Sequence, residues 1–309
     1  MNYPSIRNLE RAPEILCLPE IIATEKIHGM SWRILIPEGA STPENLRFGS
    51  RGSWATDDHP TMGAAVRECR RTFGTKPVPP DLGPGTGPLF IFGEIFGPSV
   101  QKEIRYLPEG FGFRVFDIAR NDRFWDWADM AKAARRLGLE LVPELYRGRP
   151  DPAVLKRLVA ESSTVGVNPG TEPREGIVIR PPRESVDSFG ERMIAKYKVG
   201  QFADHESTGK PIGLESASGE AKLIGELGRF ASRARIVKGA SVLRENNRYR
   251  RAMADMPALV EVLWKELEKE ESGMLSNQDC AAARSYLARI LSGRYASALR
   301  EDVLPPKSV

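Results

Sequence analysis

The sequence predicts an α+β fold: antiparallel sheets with flanking helices, followed by an all-helical domain. Short β-branched and aromatic runs separated by Gly and Pro turns recur from residue 19 to about residue 198. Only a few helical stretches interrupt them. After about residue 203 the strand signals stop, and apolar residues recur at helical spacing through 219–245, 256–270 and 279–292. We therefore read residues 1–205 as one domain and 206–309 as a second. The linker is Asp204-His205-Glu206-Ser207-Thr208-Gly209-Lys210-Pro211.

Composition narrows the classes. The 309 residues suffice for two domains with proper cores, and 41% hydrophobic with 28% charged residues is a globular balance. No apolar run approaches the ~18 residues that span a bilayer, and 1–11 lacks a basic-then-apolar signal pattern. Cys17, Cys69 and Cys280 form neither a CxxC pair nor a disulfide framework, so a reducing cytoplasm is expected. There is no GxxxxGK[ST], no GxGxxG after a strand and no HExxH.

In order, 1–18 is an irregular lead-in. Residues 19–36 are a strand, a turn through Lys26-Ile27-His28-Gly29, and a second strand. A lysine at the mouth of a sheet is a candidate nucleophile, because desolvation and neighbouring cations expose a neutral amine. Residues 37–45 connect a hairpin, and 46–53 return as a strand ending on Arg51 between glycines, either a phosphate contact or an ordinary hairpin arginine. Asp57-Asp58-His59 reads as a polar loop, 60–73 as an amphipathic helix and 74–88 as a Pro/Gly loop. The apolar strand 89–97 contains Glu94, a carboxylate costly to bury unpaired and so favoured as a site residue. In strand 111–118, Phe116 and Asp117 point to opposite faces; Phe116 is core or a stacking platform. Helices follow at 125–138 and 151–161. Glu175-Gly176 opens another β-branched strand, and Lys196 and Lys198 share one face of the last. Two same-face lysines repel unless an anion lies between them; phosphate suits that place, and edge protection is the alternative.

The helical tail is locally basic. From 229 to 251, Arg229, Arg233, Arg235, Lys238, Arg244, Arg248, Arg250 and Arg251 stand against Glu245 alone, a positive field suited to a nucleic-acid backbone.

Together these residues carry a resemblance. Lys26-Ile27-His28-Gly29, the Arg51 strand, Phe92-Gly93-Glu94, Arg114-Val115-Phe116-Asp117, Glu175-Gly176-Ile177-Val178 and Lys196-Tyr197-Lys198 resemble motifs I, Ia, III, IIIa, IV and V of the covalent nucleotidyltransferases. These are the ATP-dependent polynucleotide ligases and mRNA-capping enzymes. Glu25 to Gly29, and Phe92 to Pro98 with Gln101-Lys102, resemble the RNA ligase 2 family in particular, and Arg233-Ala234-Arg235-Ile236-Val237 stands where that family carries a basic C-terminal helix.

The resemblance implies a ligase adenylation domain and an ATP-dependent RNA ligase that seals 3′-OH/5′-phosphate nicks through lysyl-AMP and RNA-adenylate. Lys26, Glu175, Lys196 and Lys198 would be catalytic. ATP would meet Glu25 (adenine edge), Lys26, Ile27, Arg51, Glu94 (ribose), Phe116 (adenine stacking), Lys196 and Lys198. Glu175 would lie near magnesium or manganese. Arg51, Arg229, Arg233, Arg235 and Lys238 would hold nicked duplex RNA or an RNA-containing hybrid. A monomer without membrane contact is expected. Two positions depart from the pattern: Ser31 stands where asparagine is usual, and Arg180 where lysine is common. An ATP-dependent DNA ligase or capping-type enzyme is the alternative, but those usually continue into a β-rich OB-fold, whereas this tail reads helical.

Overall fold

Arg7–Asn8 (β1) is a two-residue strand in the lead-in. The apolar run after Glu20 becomes Ile21–Lys26 (β2), and the chain re-enters strand at Met30–Ile36 (β3). β-branched residues and nearly continuous burial suit both to strands covered on both faces. Arg47–Ser50 (β4) returns against β3, and Trp54–Ala55 (β5) against β4. Helix Gly63–Phe73 (α1) follows, its entrance held by His59, whose Nδ1 accepts the Met62 amide at 3.2 Å. The strands Leu89–Phe96 (β6), Gly112–Arg120 (β7) and Arg123–Phe124 (β8) form a meander. Helix Trp127–Arg136 (α2), strand Glu144–Gly148 (β9), helix Pro152–Ala160 (α3) and strands Gly176–Arg180 (β10) and Ala195–Lys198 (β11) complete this part. In the computed structural model the residues described are 1–40, 42–73, 78–79, 82, 87–101, 103–187, 191–198, 202, 214–270 and 280–306.

Two sheets result. One runs β1-β11-β10-β2-β9, antiparallel except for the β1–β11 edge; the other runs β5-β4-β3-β6-β7-β8, antiparallel throughout. The consecutive strands β2 and β3 lie in different sheets, so the turn 27–29 carries the chain from one to the other. Trp32, Ile34, Phe48, Ile91 and Val115 pack with Val66 of α1 and Met130 of α2 into one core.

The described residues divide into two units. The first contains both sheets. The second combines the C-terminal helices with two short pieces from earlier in the chain, Ala12–Cys17 and Ser185–Met193. Its helices are Leu214–Phe230 (α4), Arg233–Glu245 (α5), Met256–Glu270 (α6) and Cys280–Arg300 (α7). The helical periodicity expected over 219–245 is thus two helices. Ser232 breaks it and caps α5, its Oγ accepting the Arg235 amide at 3.4 Å. Leu227, Ile236, Leu259, Leu263, Leu287 and Tyr295 form a separate core. The expected boundary at 205/206, the linker 204–211 and Lys102 lie outside the described residues.

Candidate active site

Lys26 is the last residue of β2, and strand register decides its neighbours. Gly176 at the head of β10 lies opposite Lys26 on one side and Lys198 on the other. Glu175, one residue earlier, therefore sits between two amines. Lys26 Nζ donates to its Oε2 at 3.0 Å, and Lys198 Nζ pairs with its Oε1 at 2.8 Å. His28 Nδ1 lies 3.5 Å from the same Oε2. Burial drives the Glu175 pKa upward, but Lys26 and Lys198 outweigh it and hold the carboxyl below its usual range. Gly176 is required by close approach, because a Cβ there would lie 2.4 Å from Tyr197 O.

The second sheet supplies the facing wall. Glu94 of β6 stands opposite Ser31 of β3. Burial pushes its carboxyl up to about 7; Lys26 and Arg51 pull it down, while the Glu175 charge adds to the rise. Phe116 sits at a bulge in β7: Asp117 pairs with Phe92 and Val115 with Gly93, leaving Phe116 without an opposite residue. Such a bulge re-aims the side chain, and Phe116 faces a cavity of about 220 Å³ with Lys26, Arg51, Glu94, Lys196 and Lys198. Asp117 was expected on the face opposite Phe116, but at the bulge both meet Tyr3: its hydroxyl donates to the fully buried Asp117 at 2.9 Å and its ring lies 4.9 Å from that of Phe116, while Arg180 is 3.3 Å from Asp117.

The RNA ligase family model matches residues 19–198, more than half of the chain. The chain belongs to the RNA ligase family. No curated protein matches it. Among solved structures, a Naegleria gruberi RNA ligase is 15% identical, covering 64% of this chain and 56% of its own, with a TM-score of 0.42. An archaeal ATP-dependent RNA ligase is 15% identical over 98% of this chain and 65% of its own, TM-score 0.42. A putative ATP-dependent DNA ligase from Aquifex aeolicus is 17% identical over 97% and 67%, TM-score 0.40. The chain thus spans little more than half the length of the first of these, and likenesses this distant add nothing to the family match.

Within this family frame, the geometry gives three sets of expected residues partners that the sequence did not show. Glu25 was expected at the adenine edge, yet its side chain has no exposed surface. Its carboxylate accepts from Ser163 Oγ, from Thr164 N at 2.9 Å and from Thr164 Oγ1 at 2.7 Å, and it faces Arg174. Glu25 still lines the cavity beside Lys26 and Phe116, and its carboxylate ties β2 to the 162–165 loop. Lys196 and Lys198 were expected to need a bound phosphate between them; for Lys198 the protein itself provides the anion, Glu175. The third set lies in the tail. Arg233 pairs with Glu301 at 3.0 Å, Arg235 with Glu270 at 2.8 Å, and Lys238 with Glu266 at 2.5 Å. Carboxylates of α6 and the C-terminal segment thus offset a charge excess that the α5 sequence shows alone. Arg229 is exposed at the end of α4.

Sequence reasoning missed the cavity wall made by the lead-in. Tyr3, Ser5 and Ile6 line it, and the Tyr3 ring meets Phe116 edge-on at 4.9 Å. An isolated tyrosine in an irregular segment carries no periodic signal. Ile27 and Val178 complete the apolar lining. Asp57-Asp58-His59 is the expected polar loop, with Asp57 3.5 Å from Arg70. Among the described residues no three His, Cys, Asp or Glu side chains converge as a metal cage. Glu94 and Glu175 do present hard oxygen donors to one region, a set that suits magnesium or manganese arriving on phosphate oxygens. No helix among the described residues is long and apolar enough to cross a membrane.

Proposed function

We propose that this chain is an ATP-dependent RNA ligase that joins 3′-OH and 5′-phosphate ends at nicks in duplex RNA or an RNA-containing hybrid. The observation that carries the reading is the pair of amines, Lys26 and Lys198, held on the two oxygens of one buried carboxylate beside a cavity lined by cations and apolar side chains together. A lone lysine nucleophile is useless while protonated and wandering. Here Glu175 fixes its position, and Lys198, Lys196 and Arg51 line the space where a triphosphate would bring negative charge.

In the first step Lys26, its ammonium proton passed to solvent water, attacks the α-phosphorus of ATP through the neutral amine. A nitrogen–phosphorus bond forms, the bond to the pyrophosphate oxygen breaks, and pyrophosphate leaves. In the second, the 5′-phosphate of the nicked strand attacks that phosphorus, releasing Lys26. In the third, the 3′-hydroxyl attacks the 5′-phosphorus and expels AMP. Phe116 and the apolar residues Ile27 and Val178 suit an adenine, and Glu94 a ribose hydroxyl. A divalent cation, held with Glu175, would neutralise phosphate charge. Glu175 itself, held below the usual carboxylate range, is a weak base and acts by positioning.

The test is a label chase. ATP labelled at the α-phosphate is mixed with the protein and magnesium, then chased with nicked RNA. A covalent band lost in Lys26→Ala and discharged into sealed RNA supports the reading. Discharge by nicked DNA alone changes the substrate, and absence of the band with ATP, GTP and NAD removes the chemistry.

A further inference from the structure

The turn that carries Lys26 from one sheet to the other makes few ladder bonds of its own, and a buried tyrosine completes it. Tyr106 is 2% exposed, and its hydroxyl accepts the backbone N–H of His28 at 3.0 Å. A buried amide at a sheet crossing has no strand partner, so a side chain must satisfy it. The tyrosine is itself immobile: its ring packs edge-on against Phe96 at 5.2 Å, and its carbonyl accepts the Val167 amide at 3.0 Å. A Cβ on Gly166 would lie 2.5 Å from the same carbonyl oxygen.

The residue held in this way is the one that also meets the reactive cluster. His28 Nδ1 and Lys26 Nζ share Glu175 Oε2, at 3.5 and 3.0 Å. The turn is therefore pinned from two directions, at its main chain by Tyr106 and at its side chains by Glu175. On the far side, a Cβ on Gly29 would lie 2.4 Å from Ile95 O, so the turn cannot shift toward β6. Burial raises the Tyr106 phenol above its ordinary value, which keeps it a neutral acceptor.

We propose that Tyr106 is a positioning residue for the Lys26 nucleophile, acting through its hydroxyl on the His28 amide. Tyr106 is not among the side chains that line the cavity beside Lys26. Its hydroxyl fixes the peptide plane two residues after Lys26, and so the direction from which the amine approaches phosphorus. This rests on the nucleotidyl-transfer reading above. The expected signature is a loss in rate without a loss in nucleotide binding.

The experiment compares single-turnover labelling by α-labelled ATP in the full chain, Tyr106→Phe and Phe96→Leu. Tyr106→Phe keeps the ring and deletes only the oxygen; Phe96→Leu loosens the same ring and leaves the hydroxyl. Tyr106→Phe is expected to label roughly 10- to 100-fold more slowly with the KM for ATP within about twofold of the parent. Phe96→Leu is expected to lower the melting temperature at least as far while labelling near the parental rate. Equal labelling rates for Tyr106→Phe and the parent overturn the proposal, as do equal losses of rate in both variants, which make the effect one of stability. A parent chain that takes no label overturns the nucleotidyl-transfer reading and this role with it.

Discussion

Glu94 is the side chain whose chemistry depends most on its surroundings. Its carboxyl is pushed up to about 7, mainly by burial. A raised carboxyl means the unfolded chain ionises first, so native stability falls as pH rises from about 4.5 through 7. A shift of this size corresponds to about 3 kcal/mol between pH 4 and 8. Thermal melts should show Glu94→Gln gaining on the parent across that window and levelling off above it; parallel melting curves would remove the assignment. Glu175 has the opposite sign. Its pKa lies below the ordinary value, so its contribution is present above about pH 4.5 and disappears as pH falls through the folded pKa. Glu175→Ala leaves Lys26 and Lys198 facing each other without their anion, and labelling should fall by about 100-fold. Gly29→Ala should lose label as well, because its Cβ would collide with Ile95 O. At this scale the chain was readable wherever a residue's type states its purpose, as with Lys26 and Glu94. It was silent on the partners of Glu25, Ser163, Thr164 and Arg174, which lie about 140 positions away.

Among the elements, α5 shows how a helix can mislead by its own charge. Read alone, the stretch from Arg229 to Arg251 is strongly positive. In the helical unit Glu266 of α6 meets both Arg235, at 3.7 Å, and Lys238, and Glu301 meets Arg233. These exposed pairs each contribute about 0–1 kcal/mol to stability, but they compete with phosphate for the same cations. Glu266→Gln should therefore bind duplex RNA more tightly and steepen the dependence of log affinity on log salt by about one unit, read by titration at several salt concentrations. An unchanged slope would place the RNA contact on another face. Strands fared better than helix charges in the sequence reading. Each expected strand formed, because alternation and β-branching act locally. The two-residue strands β1, β5 and β8 are too short to leave such a pattern.

For the whole molecule, the division of the chain matters more than its order. Ala12–Cys17 and Ser185–Met193 group with the C-terminal helices although they are embedded in the sequence of the sheet unit. Ile15 is fully buried there, and Cys17 feels the charges of Arg229 and Glu226 of α4. A fragment ending at residue 205 would strip these pieces of their packing. We expect it to accept label from ATP, to melt several degrees below the full chain, and to seal nicks poorly. A fragment that matches the full chain in all three would show that the helices serve neither the fold of the first unit nor the grip on RNA.

The chemical groups and their order were legible in the one-dimensional chain: a lysine before a turn glycine, carboxylates at strand entrances, two lysines two apart, a helical tail. Those signals are local, set by periodicity, turn chemistry and the cost of burying charge. The partners of these groups were not. That Glu175 lies between Lys26 and Lys198 follows from Gly176 pairing with both strands, that Phe116 faces the cavity follows from a bulge, and that Tyr106 holds the His28 amide follows from a sheet crossing. Each joins residues from about 20 to 170 positions apart, and such contacts are chosen by the packing of the whole sheet rather than by any stretch of sequence within it.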